Sequence, residues 1–305
     1  MRAISIAFFL LTASLAAQTT TLDPLDPRMT VAADGTPKIF LMGPYSIPAG
    51  RMVGNVLAPG EYEQIVPAPN PGDVWMTGFD SRIVDTNRVQ QDPAILYLHH
   101  AVLVKMGTSD QTCALMPGER FTAAGAERIP FALPPGYGYR IMGNESMLGI
   151  MHIQNYSLTP KTCFYEFTMH VQPGSIQPPL KPVRPWWLDV VNCTSNYAVP
   201  IGTTLHVKSA DFTTANKITV LTMGPHLHCG GIKLELLDKS NGNAVLQTFF
   251  NKTSSLCPVE LDTVLPVPPM VLPQGKVLTL KATYQMSPTK SQDAMGILLS
   301  YVIVG

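Results

Sequence analysis

Residues 94–106 read AILYLHHAVLVKM. Apart from His99, His100 and Lys105, every side chain in this run is apolar or aromatic. Its apolar, β-branched and aromatic content reads as one long strand. Shorter runs of the same kind surround it. Residues 38–42 and 51–57 read as the first strands, 148–153 as another, and 163–171 alternate aromatic with polar side chains. Further on, 205–208, 217–223, 231–237, 244–250, 277–285 and 297–304 repeat the style, with Asn241-Gly242 as a turn between two of them. With 28 prolines and 23 glycines, no long helical pattern survives. The stretch QPGSIQPPLKPVRP (172–185) holds too many prolines for a central strand and is the best linker. The expected fold is all-β: two antiparallel jelly-roll β-sandwich domains, residues 37–177 and 186–305, joined by a Pro-rich linker at 178–185. Trp186 and Trp187, just past the linker, are expected to pack at the domain junction or in a core.

The chain opens MRAISIAFFLLTASLAAQ. A basic residue, a short apolar core and small residues near Ala17 have the form of a signal peptide (1–17), followed by a loose polar arm (18–36). The expectation is a secreted protein with no membrane anchor. Four sequons agree with that route, at Asn144, Asn155, Asn192 and Asn251. In an oxidising compartment most of the five cysteines should pair. Pairing within each half gives Cys113 with Cys163 and Cys193 with Cys257, leaving Cys229 free beside His228. Acidic and basic residues balance to zero, so there is no basic field for nucleic acid.

Five of the seven histidines fall in three places: His99-His100, His152 and His226-Leu227-His228. His226 and His228 are two apart, so on a strand they share a face. His99 and His100 are adjacent, so they share an ion only at a bulge or twist. His152 sits mid-strand, either a hydrogen-bonded core residue or a ligand. Imidazole suits zinc, copper, iron or nickel; a thioether such as Met295 selects for copper. No acidic residues flank these histidines at hard-cation spacing, and there is no HExxH, GxSxG or Gly-rich phosphate loop.

In that order the residues resemble the copper type II, ascorbate-dependent monooxygenases, which include peptidylglycine α-hydroxylating and dopamine β-monooxygenases. The shared order is an HH pair, a lone His, an HxH pair and a Met after an acidic turn, here Ser291-Gln292-Asp293-Ala294-Met295. The segments YLHHAVLV, PWWLDVVNC and GPHLHCGGIKLEL look closer still to the secreted, stress-upregulated nodulin-like branch. The resemblance implies two jelly-roll domains across a solvent cleft with up to two copper ions. His99, His100 and His152 would hold an electron-transfer copper. His226, His228 and Met295 would hold the copper where O2 binds. Ascorbate would be the reductant and an unknown small molecule the substrate of C–H hydroxylation, or the protein would bind copper without turnover. The positions that hold a peptide carboxylate in the peptide-hydroxylating members are Gly224 and Leu299 here, so that anchor is missing.

Overall fold

The structure, a computed structural model, describes residues 36–50, 61–66, 72–125, 130–193, 196–249, 264–286 and 292–305. The leader, nearly all of the arm, the strand expected at 51–57, Asn251 and Cys257 lie outside the described residues. Among the described residues every regular element is a strand, and no helix is long and apolar enough to cross a membrane.

The first half holds β1 (Thr36–Ile47), β2 (Glu61–Val66), β3 (Val74–Val84), β4 (Leu96–Met106) and β5 (Gly118–Ala124). It continues through β6 (Phe131–Ala132), β7 (Tyr137–Ile141), β8 (Met147–Asn155), β9 (Lys161–Pro173) and β10 (Lys181–Pro182). The second holds β11 (Arg184–Asp189), β12 (Tyr197–Val199), β13 (Leu205–Thr213), β14 (Ile218–Leu227) and β15 (Gly231–Asp238). It ends with β16 (Ala244–Phe249), β17 (Met270–Leu272), β18 (Val277–Gln285), β19 (Gln292–Ala294) and β20 (Gly296–Val304).

The strands form two sandwiches. In the first half β1-β9-β3-β7-β10, with β6 beside β3, packs on β2-β8-β4-β5; in the second, β11-β20-β14-β17 packs on β13-β18-β15-β16, with β12-β19 as a separate pair. Setting aside the short β6, β10, β12 and β19, both halves share one strand order. One sheet runs first-eighth-third-sixth and the other second-seventh-fourth-fifth. Pro185, assigned to the linker, is already in β11, and Lys181 and Pro182 pair with β7 in parallel. Both strands lie at sheet edges, where a missing N–H costs least.

Alternation decides which face each strand buries. Along β8, Met147, Gly149, Met151, Ile153 and Asn155 are buried while the residues between them are half-exposed. Phe40, Phe79, Tyr165 and Phe167 stack into one aromatic group in the first core. That core also takes in Leu221 and Tyr301 from the second half. Tyr301 donates its hydroxyl to the carbonyl of Phe121 at 2.6 Å, and its ring centroid lies 5.3 Å from that of Phe131. Arg120 lies over the Trp187 ring at 4.6 Å, and Arg184 reaches Glu119 at 2.9 Å. The halves are therefore welded by packing and by polar contacts.

A disulfide adds to this seam, and it corrects the expected pairing. Cys113 bonds Cys193, 80 residues away and in the other half. The loop carrying Cys113 is pulled into place by Asp110, which accepts bonds from the backbone of Thr112 and Cys113 and two from the Arg120 guanidinium. Cys163, the expected partner, faces the first core as a buried thiol, and burial pushes its pKa up to about 12. With Cys193 taken by Cys113, the Cys193–Cys257 pairing also fails. Cys229, expected to be free, is disulfide-bonded, its partner outside the described residues.

Candidate metal centre

The HH pair converges because β4 is irregular there. Leu98 pairs with Ile153 on β8, but His100 pairs with His152, so the register shifts across His99. On a regular strand the two adjacent rings would point to opposite faces. Here His99 Nδ1 lies 3.1 Å from His100 Nδ1. The His152 ring sits across the strands, 4.5 Å from that of His99 and 5.4 Å from that of His100, centroid to centroid.

The second half supplies the HxH pair from the end of β14. His226 pairs with Ile297 on β20, and β14 stops at Leu227. His228 then begins a tight turn closed by Gly231 N–H donating to its carbonyl at 3.0 Å. Gly230 makes that turn with φ of +87°, a conformation side chains resist. Two contacts anchor it. Gln292 on β19 donates to the Cys229 carbonyl at 3.2 Å. The buried Tyr284 hydroxyl accepts the His228 N–H at 2.9 Å and the Met295 N–H at 3.0 Å, and donates to the Met295 carbonyl.

These two constructions meet. The ring centroids of His99 and His228 are 3.8 Å apart. Ligand atoms of His99, His100 and His228 all lie within 4.8 Å of one another. His226 stands 5.1 Å from His228, centroid to centroid. The division into two separated trios across a solvent cleft is therefore corrected: the histidines of both halves form one group, because the welded seam brings β4 and the end of β14 into contact. Met295 is buried with Trp187, Ile297 and Leu299, packed against Val102 and Ala123, in the apolar part of that seam. Trp187 thus takes the junction role expected of it.

Burial, more than anything else, holds the pKa of both His99 and His100 well below the ordinary imidazole range. The neighbouring imidazoles push the same way, His228 first for His99 and His152 first for His100. His152 is lowered by burial and by His228, partly offset by Asp293. Neutral imidazoles keep a lone pair for a metal. Two ring nitrogens 3.1 Å apart need a proton or a cation between them. The donor set and its protonation state therefore fit an imidazole-ligated transition metal.

One carboxylate belongs to this group. Asp293 Oδ2 lies 3.2 Å from His228 Nδ1 and 3.9 Å from His99 Nε2. It stands on β19, opposite Ala198 of β12. A single acid gives no spacing signal, so the sequence marks it only as part of the acidic turn before Met295. Tyr284 gives no signal at all.

Gly224 and Leu299, where the peptide anchor is missing, are cross-strand partners on β14 and β20. Among the sequons, Asn144 and Asn192 are exposed. The third described sequon residue, Asn155, is buried instead. It is 2 % exposed, its amide donates to the carbonyls of Ile47 and Thr159, and its oxygen accepts from Ser157.

No protein-family model matches the chain, and no curated protein matches it in sequence. Among solved structures it is similar to PNGF-II, at 12% identity and a TM-score of 0.34 over 86% of this chain. The chain spans 65% of the length of that protein. It is also similar to the infectious bursal disease virus VP2 subviral particle (9% identity, TM-score 0.21, 92% of this chain and 75% of that one). A third likeness is to the Macrobrachium rosenbergii nodavirus (9% identity, TM-score 0.22, 80% and 98%). Overlap this low assigns no family and no activity.

Proposed function

We propose that this chain is a secreted copper-binding protein whose two jelly-roll halves close on one imidazole centre. The observation that carries the reading is the convergence of His99, His100 and His228, from opposite halves, to within 4.8 Å. The strand order common to both halves supports the jelly-roll description. Imidazole donors alone suit several metals; the sequence order of the ligands favours copper. The apolar leader of residues 3–11 and the cross-seam disulfide support secretion.

Bound copper would supply one-electron redox chemistry, with ascorbate as reductant and O2 as oxidant if the centre turns over. This chain's own residues favour binding without hydroxylation. The His99 and His228 rings are in van der Waals contact, so no substrate sits between them. Gly224 and Leu299 offer no charged anchor. His99 and His100 provide the first half's nitrogens through the β4 irregularity, and Tyr284 holds the His228 turn against them.

Metal analysis of natively secreted protein, with Cu(II) titration, tests this. The expected result is bound copper that is lost in both His99→Ala and His228→Ala. Protein without copper and without a spectral change on titration would contradict it. Copper- and ascorbate-dependent O2 uptake coupled to a hydroxylated product would replace the binding role with the enzymatic one.

A further inference from the structure

We infer that Asp293 is the carboxylate of this centre and makes it a site for a borderline divalent cation, Cu(II) or Zn(II). The inference rests on the metal-binding reading above. Three observations carry it. Oδ2 bridges histidines of both halves, 3.2 Å from His228 Nδ1 and 3.9 Å from His99 Nε2. Oδ1 is buried and has no hydrogen-bond partner among the described residues. The Asp293 backbone is fixed by the β12–β19 pairing, and its neighbour Gln292 is tied to the His228 turn.

A buried carboxylate oxygen without a donor is costly unless a cation compensates it. The groups around it are imidazoles, which bring lone pairs and no fixed positive charge. An anionic oxygen among neutral nitrogens is a donor set for divalent copper or zinc; a thioether would have favoured Cu(I). Asp293 also acts as a positioning residue. With Oδ2 3.2 Å from Nδ1, the carboxylate beside His228 favours the Nδ1–H tautomer, which leaves Nε2 for the ion. The sequence pointed to Met295 for the second half's last contribution. On this inference the acid two residues earlier takes that place; Met295 packs with Trp187, Ile297 and Leu299.

The test uses the full chain, metal-free, titrated separately with Zn(II), Cu(II) and Cu(I) under competition, in wild type, Asp293→Asn and Met295→Leu. Wild type is expected to bind one Zn(II) or one Cu(II). Asp293→Asn is expected to weaken both by about 10–100-fold and to change the Cu(II) hyperfine splitting, the usual cost of losing a ligand's carboxylate partner. Met295→Leu is expected to leave both as in wild type. Asp293→Asn with wild-type affinities and an unchanged Cu(II) spectrum would overturn the inference while leaving the metal-binding reading intact. So would wild type that takes Cu(I) but neither divalent ion, a result that needs no variant to fold. Wild type that binds no ion would overturn both.

Discussion

Tyr284→Phe removes one oxygen atom and leaves two backbone N–H groups, on His228 and Met295, without an acceptor. The residue is fully buried, and burial raises its pKa well above the ordinary phenol value, so the hydroxyl is neutral across the accessible pH range. Phenylalanine keeps the ring packing, including the edge contact with Tyr197 at 6.3 Å between centroids. What is lost is therefore almost purely hydrogen bonding. Each orphaned buried donor costs about 1–3 kcal/mol, so the variant should be destabilised by about 2–6 kcal/mol. With a urea slope of about 1–3 kcal/mol per molar, the unfolding midpoint of the metal-free protein should fall by on the order of 1–2 M. The same hydroxyl fixes the turn carrying His228, so Cu(II) affinity should fall too. An unchanged midpoint with unchanged Cu(II) affinity would show that the hydroxyl does not hold the two segments together.

Three further outcomes follow from other parts of the molecule. His170 is fully buried on β9, neither ring nitrogen has a hydrogen-bond partner among the described residues, and burial lowers its pKa to about 4. Because the folded pKa lies below the unfolded 6.5, the unfolded chain gains a proton first as pH falls. Its contribution to stability is therefore complete above pH 6.5 and is lost between 6.5 and about 4, by up to about 3 kcal/mol. His170→Phe should flatten the stability-versus-pH slope in that window, and an unaltered slope counts against the assignment. Replacing both Cys113 and Cys193 by serine opens a cross-link spanning 80 residues and both halves; a loss of about 2–5 kcal/mol is expected in chemical denaturation. Peptide mapping after glycosidase treatment of secreted protein should find Asn144 and Asn192 modified and Asn155 bare; an Asn155 glycan would contradict its burial.

Much of the fold was readable because strand burial writes itself into side-chain alternation. The runs at 148–153 and 297–304 emerge as the cores of β8 and β20. β3 was not readable: Asp80-Ser81-Arg82 interrupts its apolar pattern. In the structure it is a central strand, since Arg82 lies opposite Glu166 on β9 and donates to it at 2.7 Å. A half-exposed charge paired with a buried partner far away in sequence looks, locally, like a loop. The same limit applies to the site. The requirement for a bulge at His99-His100 follows from strand geometry alone. The closure that brings His228 to His99 does not, because it depends on Tyr301 meeting Phe121 and on Cys113 reaching Cys193. Disulfide connectivity and domain docking are long-range facts with no local pattern.

The central claim is one metal centre shared by the two halves. Metal stoichiometry on natively secreted protein, compared across wild type, His99→Ala and His228→Ala, tests it most directly. One copper per chain, lost when either half's histidine is removed, is the predicted result. Two independently held ions, or a copper that survives loss of His228, would contradict it.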